Sequence, residues 1–157
     1  MLKYVSYDIV FQEIPDEVTL AINLSRCPNR CAGCHSPHLR DDIGDELSEM
    51  RLDVLIGEYR NAATCVCFMG GDGAPDEVAH LAHIVKKNYG LRSGWYSGCN
   101  TLPENFDAEA FDFVKIGSYN AQCGDLKSVT TNQRLYRIKN GELIDITDRF
   151  HKKNPCT

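Results

Sequence analysis

Three thiols fall within eight residues at Cys27, Cys31 and Cys34, in the segment SRCPNRCAGCHSPHLR that spans 25–40. Pro28, Gly33 and Pro37 keep this backbone out of a helix, so the segment reads as a ligand loop. A tetranuclear iron–sulfur cluster is ordinarily held by four thiolates. A loop that presents three leaves one iron open to another ligand, and that vacancy is where chemistry can take place. Three other readings compete. Zinc, completed by His35 or His38, is one, although structural zinc ligands usually come as two separated pairs rather than an uneven triplet. Cys31-Ala32-Gly33-Cys34-His35 matches the attachment pattern of c-type haem, but that reading leaves Cys27 idle and requires export. Ordinary buried cysteines are the third, and a loop containing Pro and Gly suits them poorly.

The remaining thiols read differently. Of the 8 cysteines in the chain, Cys65 and Cys67 alternate within an apolar run and are expected to act as small hydrophobes. Cys99 and Cys123 fall in loops near the candidate site, where a redox or second-cluster role is the lesser alternative, and Cys156 is expected to be exposed. The apolar run ends at Gly70-Gly71-Asp72, which taken alone is only a turn. A formal net charge of -5 argues against phosphate-backbone binding, so no nucleic acid partner is expected. With 43% apolar and 25% charged residues and no long apolar stretch, no membrane association is expected. The first residues, MLKYVSYDIVFQEIPDE, lack the features of an export signal, so the expected compartment is the cytoplasm, where cysteines serve metals more often than disulfides.

The elements that must position these groups follow from periodicity. Leu2 to Phe11 and Val18 to Leu24 read as strands joined by a turn at Ile14-Pro15-Asp16-Glu17. Asp45 to Arg60 has helical spacing at Leu47, Met50, Val54, Leu55 and Tyr59, with Asp45 or Ser48 as cap. Thr64 to Met69 reads as a buried parallel strand. A second helix starts at Pro75, carries Asp76 and Glu77 in its first turn, and ends with Lys86-Lys87 before Gly90. Leu91 to Ser97 and Phe113 to Ile116 read as further strands, with a short helix around Asp107 to Phe111 between them. Asn140-Gly141 marks a hairpin between Arg134 to Ile138 and Glu142 to Ile146. The tail, Phe150 to Thr157, is expected to be loose. The alternation of strands and helices implies an α/β fold with a mostly parallel sheet in a single domain over 1–157.

A Cys-x3-Cys-x2-Cys loop placed after the first strands of such a chain resembles the radical S-adenosylmethionine enzymes. Within them, the chain is similar to the activases of anaerobic ribonucleoside-triphosphate reductases. The matching pieces are YDIV at 7–10, CPNRCAGCHSP at 27–37, FMGGD at 68–72, WYSG at 95–98, VKIGSY at 114–119 and TNQRLYRI at 131–138. The resemblance implies a partial, incomplete β/α barrel with mostly parallel strands and a C-terminal β-hairpin at about 134–147. It implies a 4Fe-4S cluster on Cys27, Cys31 and Cys34 as metal-binding and catalytic residues. S-adenosylmethionine would lie against Gly33, Cys34, His35, Gly70, Gly71, Asp72, Ser97 and Lys115. Asp72 would face the ammonium of the methionine moiety, and Lys115 its carboxylate or the ribose unless it is a solvated surface lysine.

The implied activity is reductive cleavage to methionine and a 5′-deoxyadenosyl radical, which removes hydrogen from a glycine of a partner glycyl radical enzyme, the reductase. A reduced flavodoxin or ferredoxin would supply the electron. The alternatives are an activase of another glycyl radical enzyme such as pyruvate formate-lyase, a small synthase of the same superfamily, or a zinc or iron–sulfur binding module without catalysis. The chain departs from the wider pattern in three places. Gly33 stands where many relatives carry an aromatic residue, Asp72 stands for the common Glu, and Leu39-Arg40 for a tryptophan.

Overall fold

The structure, a computed structural model, describes residues 1–29 and 37–151. Strands β1 (Lys3–Val10) and β2 (Thr19–Leu24) form an antiparallel pair. A two-residue strand β3 (Asp45–Glu46) then pairs with Lys3 and Tyr4 of β1, and helix α1 spans Glu49–Tyr59. Helical spacing was expected from Asp45 with Asp45 or Ser48 as cap, and of the two it is Ser48 that starts the helix, at Glu49. Gly44 is in the left-handed region at φ +92, where a side chain would strike the Tyr4 carbonyl, and this close approach keeps the next two residues extended along β1. The cap is Ser48, whose hydroxyl accepts from the Arg51 amide at 3.1 Å.

Strand β4 (Cys65–Met69) leads to helix α2 (Pro75–Tyr89), and strand β5 (Arg92–Tyr96) returns beside it. Pro75 opens α2 with the φ a first helical turn needs, and Gly90 closes it at φ 65 with its amide on the Lys86 carbonyl at 3.2 Å. A 3₁₀ turn at Ala108–Ala110, capped by Asp107, precedes β6 (Phe113–Ile116). Strands β7 (Arg134–Lys139) and β8 (Glu142–Asp145) form the expected hairpin, with Asn140 at φ 53 and Gly141 at φ 80.

Among the described residues these strands make one eight-stranded sheet in the order β3-β1-β2-β4-β5-β6-β7-β8. The expectation of a mostly parallel sheet is corrected. Only the three joints β2–β4, β4–β5 and β5–β6 are parallel, and the four others are antiparallel. Parallel neighbours require a crossover on one face, and the chain makes such crossovers only between β2 and β6. Both flanks are built from hairpins and reversals instead.

Alternation along the strands divides the core in two. Leu20, Ile22, Val66, Phe68, Trp95 and Val114 pack against Leu52, Leu55 and Ile56 of α1 and Val78, Leu81 and Val85 of α2. On the opposite face lie Cys65, Cys67, Phe113 and Leu135, covered by Ile14 and Leu126 from connections. Both thiols are fully buried and burial pushes them up, so they stay protonated and pack as small hydrophobes. Ile14, expected in the turn between the first two strands, is fully buried, because its connection folds back over this face. Phe150, expected to begin a loose tail, instead ends a 3₁₀ turn at Thr147–Phe150 and packs on the same cluster; the rest of that tail, 152–157, lies outside the described residues.

Ile14→Ala should lower unfolding stability by about 2–5 kcal/mol, seen as a lower urea midpoint at an unchanged slope. The carboxyl of Asp107 is held below its usual range by the hydrogen bond from His83 at 2.7 Å, and that of Asp42 by Lys3. A carboxyl lowered on folding adds stability above its unfolded value, near ~4, and loses it as pH falls through the folded value. Asp107→Asn should therefore lower Tm at neutral pH and make its fall in acid shallower, measured by thermal melts between about pH 2 and 7.

Candidate functional site

Parallel pairing brings the strand ends into one row. Asn23 is the register partner of Met69, Met69 of Tyr96, and Tyr96 of Lys115. Backbone bonds extend the row past the sheet, from the Gly70 amide to the Tyr96 carbonyl at 2.9 Å and from the Ser97 amide to the Lys115 carbonyl at 2.8 Å. A cavity of about 380 Å³ opens against these ends. Its other wall comes from connections: Gln12 and Glu13 between β1 and β2, then Asp125, Leu126 and Lys127 from the segment between β6 and β7. The two parts of that wall are tied by the Lys127 ammonium donating to the Gln12 amide oxygen at 2.7 Å. The Tyr96 hydroxyl donates to the Glu13 carbonyl, and burial holds that phenol protonated by pushing its pKa well up.

The cysteine loop leaves β2 through Ser25, whose hydroxyl donates to the Ile43 carbonyl at 2.6 Å, and through Arg26 at φ 60. The Arg26 amide donates to the Asp41 carbonyl at 3.0 Å and the Cys27 amide to the Leu39 carbonyl at 2.8 Å, so the two stems of the loop are zipped together. Cys27 stands at the inner end of this neck, half-buried, and lines the cavity. Cys31, Gly33, Cys34 and His35 lie outside the described residues. Among the described residues no three His, Cys, Asp or Glu side chains converge on a common metal position.

The remaining candidates separate into two groups. Gly70, at φ +109, lines the cavity, and its carbonyl accepts from the Trp95 indole nitrogen at 2.7 Å. Lys115 also lines it and is not a solvated surface lysine: it is only 8% exposed, its ammonium donates to the Gly117 carbonyl at 3.1 Å, and it sits 5.6 Å from the centre of the Tyr96 ring. A cation held this way beside an apolar wall is placed to meet an anionic group.

Gly71, Asp72 and Ser97 are not among the cavity-lining residues. Gly71, at φ +87, lies where a methyl group would come within 2.6 Å of Val78 and 2.9 Å of Leu24, so its part is to let α2 seat on the sheet. The Asp72 carboxylate accepts from the Ser97 hydroxyl at 2.5 Å on one oxygen, and from the Asn29 amide nitrogen at 2.7 Å and the Gly98 amide at 2.8 Å on the other. Cys99 adjoins this group, its thiol pushed up by burial and by the Asp72 carboxylate. Cys123 lies in the turn bridged by Asn120 and Gly124.

Sequence reasoning passed over Asn29, Tyr96 and the wall residues Gln12, Glu13 and Lys127. Tyr96 had a usable signal, because it ends an expected strand and precedes the flagged Ser97. The wall residues had none, since their connections meet only in the folded chain. No protein-family model, no curated protein and no solved structure matches the chain.

Gly71→Ala should destabilise the protein by about 1–3 kcal/mol through overpacking and backbone strain, read as a lower Tm.

Proposed function

We propose that this chain is a radical S-adenosylmethionine activase that generates the glycyl radical of an anaerobic ribonucleoside-triphosphate reductase, built on an incomplete β/α barrel. The observation that carries the reading is Cys27, from a loop of three closely spaced cysteines, on the wall of a cavity at the carboxyl ends of the parallel strands. Open α/β sheets bind their ligands at this end. A cavity of about 380 Å³ is of the size that holds small-molecule cofactors, typically about 300–1,000 Å³.

The donor set suits the groups. Cys27, Cys31 and Cys34 would hold a 4Fe-4S cluster as thiolates, because soft sulfur ligands favour iron–sulfur centres. When bound together, the cluster and S-adenosylmethionine supply reductive cleavage of the sulfonium and removal of hydrogen from a carbon of the partner. The protein's own residues bind and orient. Gly70 has no side chain and allows close approach of a ligand to its backbone, and Lys115 offers a fixed cation to a carboxylate. Tyr96, Glu13 and the tied Gln12–Lys127 wall bound the far side of the cavity. A reduced flavodoxin or ferredoxin is the proposed electron donor, the cytoplasm the proposed compartment, and the substrate a glycine of another protein.

The test is anaerobic reconstitution with iron and sulfide, followed by S-adenosylmethionine and dithionite. Methionine and 5′-deoxyadenosine are expected in equal amounts, together with a glycyl radical signal in electron paramagnetic resonance when the reductase is added. Replacing Cys27, Cys31 and Cys34 together by Ala should remove both bound iron and cleavage; undiminished cleavage by that variant would sink the reading. A radical that forms only on pyruvate formate-lyase would change the partner and keep the chemistry.

A further inference from the structure

The candidate carboxylate of the site does not stand open to the cavity. Asp72 holds three donors from two other segments: Asn29 in the cysteine loop, and Ser97 and Gly98 just past β5. The arrangement is built closely. A side chain on Gly98 would come within 2.8 Å of the Asn29 amide nitrogen and 3.4 Å of the Asp72 carboxylate, so the absence of one there is what lets Asn29 reach Asp72. Ser97, only 1% exposed, is fixed from both sides, donating to Asp72 while its oxygen accepts the Cys99 amide at 3.0 Å. Asn29 is two residues from Cys27, and the Cys27 thiol lies 3.9 Å from the Asn29 carbonyl. The neck bonds at Arg26 and Cys27 hold the loop stems to each other, and the Asn29–Asp72 bond joins the loop to the ends of β4 and β5.

We infer that Asp72 is a positioning residue that anchors the cysteine loop to the sheet through Asn29. This inference rests on the proposed function for its purpose, which is to hold Cys27 against the cavity, but its geometry is independent of that function. It differs from the role expected of Asp72 from sequence, a direct partner for an ammonium group. Two of the donors it holds are uncharged side chains and one is a backbone amide, and a carboxylate accepting several such bonds has few acceptor sites left for a ligand.

The experiment is amide hydrogen exchange by nuclear magnetic resonance on the full chain, before and after reconstitution, for Asn29→Ala, Asp72→Asn and the double variant. Asn29→Ala removes the loop's side of the contact and leaves the strand end intact, so it reads the anchor even where the Asp72 variant folds poorly. Exchange at the Arg26 and Cys27 amides should rise on the order of tenfold in each single variant, as expected for a lost charge-assisted hydrogen bond. The double variant should be no faster than the faster single, because both changes break one link. Unchanged exchange at Cys27 in Asn29→Ala, or additive effects in the double variant, would overturn the inference.

The reconstituted proteins separate the two ideas. If Asp72→Asn raises KM for S-adenosylmethionine while exchange and iron content stay at wild-type values, Asp72 is a ligand contact and the anchor fails, yet the proposed function survives. If no variant, wild type included, holds iron or cleaves S-adenosylmethionine but the exchange pattern is as expected, the function fails and the anchor stands.

Discussion

Everything in the site depends on the in-register parallel pairing of β2, β4, β5 and β6. Because parallel ladders keep neighbouring strands running the same way, their carboxyl ends arrive together, and Asn23, Met69, Tyr96 and Lys115 form one line across the sheet. A slip of one residue in any joint would turn the strand's side chains to the opposite face and break that line. The register is held by burial on both faces. Val66 and Phe68 face the helices while Cys65 and Cys67 face the connections, so no shift of β4 leaves its small thiols and its large apolar groups equally well packed.

The cysteine loop depends on this frame and adds its own constraints. Its stems are zipped by backbone bonds at Arg26 and Cys27, and its inner end meets the strand-end group of Asp72, Ser97 and Gly98. The glycines at this end have different duties. Gly70 presents backbone to the cavity, Gly71 makes room for Val78 and Leu24, and Gly98 makes room for Asn29. The Gly70-Gly71 pair that reads as one motif in sequence thus divides into a cavity-lining residue and a packing residue, and Gly98, at another strand end, is a second packing residue.

Much of the fold was legible because its signals are local. Pro75 and Gly90 bound α2, Asn140-Gly141 sets the hairpin, and the apolar run through Cys65–Met69 declares a buried strand. What sequence hid was non-local. Nothing near Ile14 announces that its connection will fold under the sheet, and nothing in Asp45–Glu46 outweighs helical spacing until Gly44 is seen pressed against β1. In the site, residue types pointed to Cys27, Gly70 and Lys115, which do line the cavity. The pairing of Asp72 with Asn29 could not be read, because it joins positions 43 residues apart through a contact that neither periodicity nor charge pattern encodes.

The wall that closes the cavity has a further consequence for how the protein is made. Gln12 and Lys127, whose bond joins its two parts, are separated by 115 residues. Loops of that length close late, after the entropy of the intervening chain has been offset by other contacts. Until the segment around Lys127 has folded against the strand ends, Cys27 and that row of ends lack their far wall, so the pocket is completed only by a late, long-range contact.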